Sequence, residues 1–564
     1  MQFLRGTHRA ILLALSLLPG CAESDAATGG ASPALTRGPS VGSFGYYLTG
    51  RFALSNGDEE TGARDLLRAL ALNPGQPELT EEAFLACVVA GHPDAVRLAR
   101  LLPDNQIAQL VLASDDVKSG NWRAAERRFL ALPRQGMMQW LQPLLLAWAR
   151  QGDGRTAEAL ATIKPLIESP RFRATAALHA AMIADMAGLT GDAGRFYQIA
   201  RDGMQEPNAR TARILSSWAA RSGRPGEAER ILNGLVIAAP DIAIALPGLI
   251  AAADRRPVVS AADGVAEVYF TFASALRMRE AADFAKIILR LSLDSRSDFA
   301  SARLAASEIH AFQRRFPAAL HVLDNIPASD PISPIIRLRR AALADRLGRG
   351  DEAVRELEAL RQEFPRSPQP EILLGDLLRV KQRFPEAIAA YDRAIERIGR
   401  PGAADWGVFY NRGVALEQTR DWPRAEADFS HALELAPEQP LVLNYLGYAW
   451  TERGKNLDQA REMIVRAAAT RPDDGAIADS LGWVLFRQGK VAEAVPVLER
   501  AVELEPEDPT INSHLGDVYW AVGRALEARF QWRRALNLNP PAEEIARLEA
   551  KLQSNTGLPP SAER

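Results

Sequence analysis

Small and large apolar residues recur along this chain in blocks of about 34, and each block reads as two helices with no convincing strand. Leu515-Gly516, Leu481-Gly482 and Leu446-Gly447 align in three successive blocks. A ring or leucine follows three residues after each glycine, at Tyr519, Leu485 and Trp450. Then come Gly523, Gly489 and Gly454, followed by Ala528, Ala494 and Ala460. Trp532, Leu498 and Ile464 supply the next large residue, and Pro540, Pro506 and Pro472 close the units. The small residues let two antiparallel helices approach, and the large ones fill the space between them. The later glycine supplies a left-handed turn, and the proline stops the second helix.

The frame extends upstream through Gly413 and Phe429, Gly375 and Tyr391, Ala341 and Leu357, and Ser307 and Leu323. Gly50, Gly57, Leu66 and Pro74 match it again near the start. The units between are degenerate, and residues 241–265 fit worst, which suggests a bend between two sub-arrays. The period predicts about 13–14 helix pairs, stacked because no pair buries its apolar face alone. The expected organisation is divergent repeats over 43–265 and regular repeats over 266–540. An amphipathic capping helix follows over 541–553, through Ile545, Leu548 and Leu552, and then a disordered tail over 554–564. The apolar segment Ile242 to Ala253 is too short, and too broken by Pro247, to span a bilayer.

The first residues read as an address. Arg5 and Arg9, with no acid, precede the apolar run Ala10 to Leu18, which ends in Leu18-Pro19-Gly20-Cys21. This resembles the lipobox of bacterial lipoproteins, with Pro19 in place of the usual alanine or serine. The resemblance implies cleavage after residue 20 and lipidation of Cys21, the alternative being a plain secretory signal and a soluble periplasmic protein. Ala22 is not the aspartate that retains many such lipoproteins at the inner membrane, so the resemblance places the protein on the periplasmic face of the outer membrane. Residues 21–42, rich in Ala, Gly, Ser, Thr and Pro, read as a tether with a reach of about 25 Å.

Composition narrows the function classes. The 67 Lys+Arg against 70 Asp+Glu argue against nucleic acid as a partner. Two cysteines support neither a disulfide framework nor a four-cysteine zinc site, and Cys87 reads as a buried structural thiol. The seven histidines form no i, i+3 or i+4 pair, and no H-E-x-x-H, S-x-x-K or G-x-S-x-G occurs. Gly152-Asp153-Gly154-Arg155-Thr156-Ala157 formally fits a dinucleotide fingerprint, but it follows a helical run and sits where the repeat needs its turn. No enzyme activity, cofactor or metal is expected.

The repeated unit resembles the tetratricopeptide repeat, which implies an all-α superhelix, an α-α solenoid, with a concave groove lined by the first helix of each pair. The resemblance places the second, fifth, ninth and twelfth residues of a unit in that groove. Here they include Tyr410, Asn444, Tyr448, Asp479, Trp483, Phe486, Asp517 and Trp520. Rings and amides of this kind suit an extended peptide or a helix. Tyr448 and Trp483 stand out because the ninth place often holds a small polar residue, whereas Tyr410, Phe486 and Trp520 also fit packing roles. None of the seven lysines falls at a groove place, which argues against a lysine clamp for a peptide carboxylate.

Leu443-Asn444-Tyr445-Leu446-Gly447-Tyr448, Asp479-Ser480-Leu481-Gly482-Trp483 and His514-Leu515-Gly516-Asp517-Val518-Tyr519-Trp520 go further. They resemble the C-terminal repeats of large proteobacterial outer-membrane repeat lipoproteins, over roughly residues 406–540. That resemblance implies a non-enzymatic scaffold or adaptor, like NlpI in role, that recruits a periplasmic protease or cell-wall hydrolase. The alternative is an assembly factor for an envelope machine: a secretin, a pilus or outer-membrane protein biogenesis. The oligomeric state is left open.

Overall fold

A computed structural model of the chain describes residues 42–136, 138–204, 208–276 and 281–553. The expected signal peptide at 1–20, the expected lipidation site Cys21, the expected tether up to residue 41 and the tail at 554–564 lie outside the described residues.

Each repeat folds as the spacing of its small and large residues requires. In one unit the first helix is Gly475–Arg487 and the second is Val491–Leu504. A Cβ on Gly482 would lie 2.5 Å from Leu498, so the helices meet only because that residue has no side chain. The same geometry recurs at Gly516 against Trp532 (2.5 Å), Gly447 against Ile464 (2.8 Å), Gly413 against Phe429 (2.7 Å) and Gly375 against Tyr391 (2.5 Å). The turn at Gly489 has φ 79°, and the second helix ends two residues before Pro506.

Arg314, Gln382 and Arg420 hold the same left-handed turn at φ 59°, 59° and 64°. A side chain there costs about 1–2 kcal/mol, against about 0.5–1 kcal/mol of extra chain entropy for glycine. Arg420→Gly is therefore expected to raise stability by about 0.5–1 kcal/mol in a urea titration, and no change or a loss would refute the strain argument.

Among the described residues there are thirty α-helices, two short 3-10 helices and no strand. Six helix pairs precede residue 240, eight follow residue 260, and the last helix, Ala542–Gln553, caps the array. Leu548 of that cap is buried in the cluster of Leu515, Tyr519 and Trp532. No helix among the described residues is long and apolar enough to cross a membrane. Cys87 is fully buried, and its thiol is pushed up to about 12 by burial and then by Asp94, so it is unreactive.

The N-terminal repeats depart from an open solenoid. After a 3-10 turn at Pro240–Ala245 and the short helix Leu246–Ala251, the helices Ala261–Ala275 and Ala282–Ser295 pack together inside the concave side of the first repeats. Tyr269 Oη lies 3.2 Å from Ser114 Oγ, and a Cβ on Gly264 would stand 2.2 Å from the Trp148 ring. Ser114 and Trp148 each sit six residues before their turn glycines, Gly120 and Gly154. Tyr448, Trp483 and Asp517 stand at that same distance from theirs, so Ser114 and Trp148 are groove positions. The second helix of this inner hairpin rests on Pro77–Ala90 and Gln106–Lys118. One continuous apolar core therefore joins residues from Ala63 to Ile309. Polar contacts close the seam: Lys286 Nζ is 3.7 Å from Glu59, and Arg315 donates to the Ser55 carbonyl at 3.5 Å.

Candidate binding groove

With the N-terminal concave side filled, the accessible groove belongs to the repeats after residue 333. Its walls are the first helices Ser333–Arg346, Gln369–Val380, Trp406–Gln418, Pro440–Glu452, Gly475–Arg487 and Pro509–Ala521.

At the C-terminal end the expected groove residues converge with His514, Glu452, Trp532 and Lys551 into a closed knot. His514 is buried, and its Nδ1 lies 2.9 and 3.0 Å from the carboxylate oxygens of Asp479. The Trp483 ring stacks on His514 at 3.9 Å and 12°, and on Phe486 at 5.1 Å. Trp483 Nε1 donates to Glu452 at 2.6 Å, and Tyr448 lies 6.4 Å from the His514 ring. Burial alone would lower the His514 pKa. The adjacent Asp479 carboxylate, with Asp517 and Glu452 behind it, outweighs that and holds it above 6.5. Burial, then Glu452, Asp479 and Glu544, pushes the Tyr448 hydroxyl well above its usual range. Asp517 accepts from Trp532 Nε1 at 2.9 Å and from Lys551 Nζ of the cap at 2.7 Å. Trp520 lies 5.6 Å from Trp532.

The structure thus places Asp479, Trp483, Phe486, Asp517 and Trp520 in wall and cap contacts. Trp483 is only 9% exposed. Tyr410 also packs, with Tyr445 at 5.6 Å and Phe429 at 6.0 Å. Tyr448 and Asn444 remain at the edge of the open stretch, and Asn444 Oδ1 is buried with no hydrogen-bond donor. A buried amide oxygen left unpaired costs about 1–3 kcal/mol, and a peptide N–H would relieve it.

The groove opens toward its upstream end. Asp241, Ile335, Leu338, Ala342, Ile372 and Asp376 line a recess of about 200 Å³. Asp376 accepts from Tyr391 Oη at 2.7 Å and Asn411 Nδ2 at 2.9 Å, and burial holds its carboxyl above the usual range. Between recess and knot, Glu417 accepts from Tyr445 Oη at 2.7 Å and pairs with Arg453 at 2.8 Å.

The groove extends upstream of Tyr410. Carrying the fifth and ninth places upstream, relative to the small eighth residue, reaches Ile372 and Asp376 before and after Gly375, and Leu338 and Ala342 around Ala341. His514 sits at a sixth place, outside that rule. Lys551 enters from the cap, so a lysine does reach the groove wall although none occupies a groove place. Among the described residues no group of three or more His, Cys, Asp or Glu could hold a metal ion.

Family models for the tetratricopeptide repeat match residues 304–368, 338–405, 410–478 and 482–523. Residues 304–523 of this chain carry tetratricopeptide repeats. The TPR repeat-containing protein PA4667 of Pseudomonas aeruginosa is 31% identical over 159 residues, 28% of this chain and 26% of that protein. The match therefore spans about a quarter of that relative's length. Among solved structures, the APC/C hetero-tetramer Cut9-Hcn1 is similar at 14% identity and TM-score 0.39, covering 90% of this chain and 96% of that one. Yeast Tom70 is similar at 13% identity and TM-score 0.33, covering 91% and 95%. The matched residues supply the walls of the open groove.

Proposed function

We propose that this protein is a non-enzymatic, lipid-anchored adaptor on the periplasmic face of the outer membrane. In this reading its C-terminal groove holds a segment of a periplasmic protease or cell-wall hydrolase. Tetratricopeptide repeats are interaction scaffolds, and that general role carries over to this chain. The carrying observation is the contrast between two grooves in one array: the chain fills its N-terminal groove itself and leaves open a recess at Ile372 and, two helix pairs further along the groove, an unpaired Asn444 oxygen. The recess suits one apolar side chain, and Asn444 suits the partner's backbone. The lipobox-like Leu18-Pro19-Gly20-Cys21 supports the anchor, which would raise the partner's effective concentration at the membrane.

Co-purification of the lipidated full-length protein tests this. The wild type is expected to retain a stoichiometric protease or hydrolase. Ile372→Asp, and separately Asn444→Ala with Tyr448→Ala, are expected to lose it by on the order of tenfold or more while keeping the wild-type thermal melt. Recovery of secretin, pilus or β-barrel assembly components instead would overturn the named partner and favour the assembly reading. Unchanged capture by both variants would move binding out of the groove.

A further inference from the structure

The two ends of the array are finished differently. The C-terminal end is covered by Ala542–Gln553, whereas the first helix, Ser43–Ser55, presents an apolar stripe that no described residue covers. Phe44, Leu48 and Phe52 follow one another at four-residue intervals on one face and are 71%, 49% and 72% exposed. The helix carries no acid. Its one charge, Arg51, pairs with Glu82 at 3.0 Å. Arg51 adjoins the stripe with its side chain 56% exposed, whereas Arg68 lies over the Tyr46 ring on the far side of the helix.

We propose that this stripe seats in the headgroup region of the bilayer that holds the anchor, so that the protein meets the membrane through its first helix as well as through its lipid. The inference rests on the lipidation reading of Cys21. Twenty-one residues lie between Cys21 and Ser43, and a Gly/Ser-rich chain of that length reaches about 25 Å. The helix itself is about 20 Å long, so it is the folded element kept nearest the surface. Tethering supplies the effective concentration, and three large apolar side chains beside the half-exposed Arg51 guanidinium match an interface of acyl chains and headgroups. A second copy of the chain is a poorer occupant. A stripe on a 13-residue helix offers far less than the roughly 800 Å² per partner that a stable dimer buries.

The test uses the lipidated full-length protein carrying Leu48→Cys, labelled with bimane and reconstituted into phosphatidylethanolamine–phosphatidylglycerol vesicles containing bromine-bearing acyl chains. Cys87 is buried and takes no label. Leu526→Cys, at a site 84% exposed on the last repeat, is the control. The Leu48 label is expected to be quenched by the brominated lipid and to lose sensitivity to aqueous iodide several-fold relative to the control. Adding Phe44→Ser and Phe52→Ser is expected to weaken that lipid contact by on the order of tenfold. A label as open to iodide as the control would overturn the proposal. So would one shielded from iodide without lipid quenching, since a protein surface would then cover the stripe. Failure of the anchor reads differently: the chain without an added cysteine would take label at Cys21 and would not float with vesicles, which overturns both readings. Flotation with an unquenched Leu48 label overturns this one alone.

Discussion

Glu267→Ala is expected to destabilise the N-terminal repeats by about 3–5 kcal/mol, as removal of one partner of a buried ion pair does. The side chains of Arg210 and Glu267 are 4% and 2% exposed, and Arg210 Nε donates to Glu267 at 2.8 Å. The same guanidinium donates to the Pro257 carbonyl at 3.0 Å and lies 4.9 Å over the Phe299 ring. Alanine leaves that cation buried with one carbonyl for company. Helix Ala261–Ala275, which carries Glu267, is also the helix whose Tyr269 and Gly264 sit on Ser114 and Trp148, so the cost falls on the hairpin that fills the groove. The measurement is hydrogen exchange of this helix together with a urea titration, because repeat arrays need not unfold in one step. Arg210→Leu with Glu267→Leu removes both charges and is expected to lose much less than the single variant. A single-variant loss under about 1 kcal/mol would mean that the pair does not hold the hairpin in place.

The two halves of the array are expected to respond to pH in opposite directions. His179 is fully buried, accepts from Trp148 Nε1 at 3.1 Å, and is pushed by burial down to about 3. His310 is pushed to about 4 by burial, then by Lys286 and Arg315, against a smaller opposing effect of Asp283, with Glu59 at 3.9 Å. Both have folded values below their unfolded value of about 6.5. The unfolded chain therefore binds protons first, and N-terminal stability is intact above pH ~6.5 and falls by several kcal/mol on the way to pH ~4. His514 has the opposite sign. Its folded value is raised, so its contribution is complete below pH ~6.5 and is lost as pH rises through the folded value. Hydrogen exchange resolved by helix between pH 5 and 8 should show Ala261–Ala275 loosening toward acid and Pro509–Ala521 loosening toward base. His310→Gln should flatten part of the first trend, and His514→Gln should abolish the second. Parallel trends in both halves would contradict this assignment of the histidines.

Much of this architecture is local and therefore visible along the chain. Gly482 with Leu498, or Gly516 with Trp532, are contacts between adjacent helices of one unit, so sequence spacing and spatial contact coincide. The candidate site was less legible. Trp483 has the residue type and register of a ligand contact, yet His514, Phe486 and Glu452 engage it within the wall. Those partners belong to three different helices, and no single-unit pattern reports which one a ring will turn toward. The recess at Ile372 was within reach of the register, because it repeats the fifth and ninth places already used downstream.

The filled groove had a signal too. In Arg173–Met186 every residue from Ala176 to Asp185 is buried, and a helix apolar on all sides must be covered on all sides. The covering hairpin lies far along the chain: Tyr269 meets Ser114 across 155 residues. The sequence by itself determined the helix pairs, their order, their turns and the close approach within each pair, because those depend on side-chain volume and backbone freedom at fixed short spacing. The tertiary structure alone decided which concave surface stays open. That outcome follows from the curvature summed over many repeats, which brings Ala261–Ala275 and Ala282–Ser295 back onto Trp148 and Ser114 and leaves the later groove uncovered.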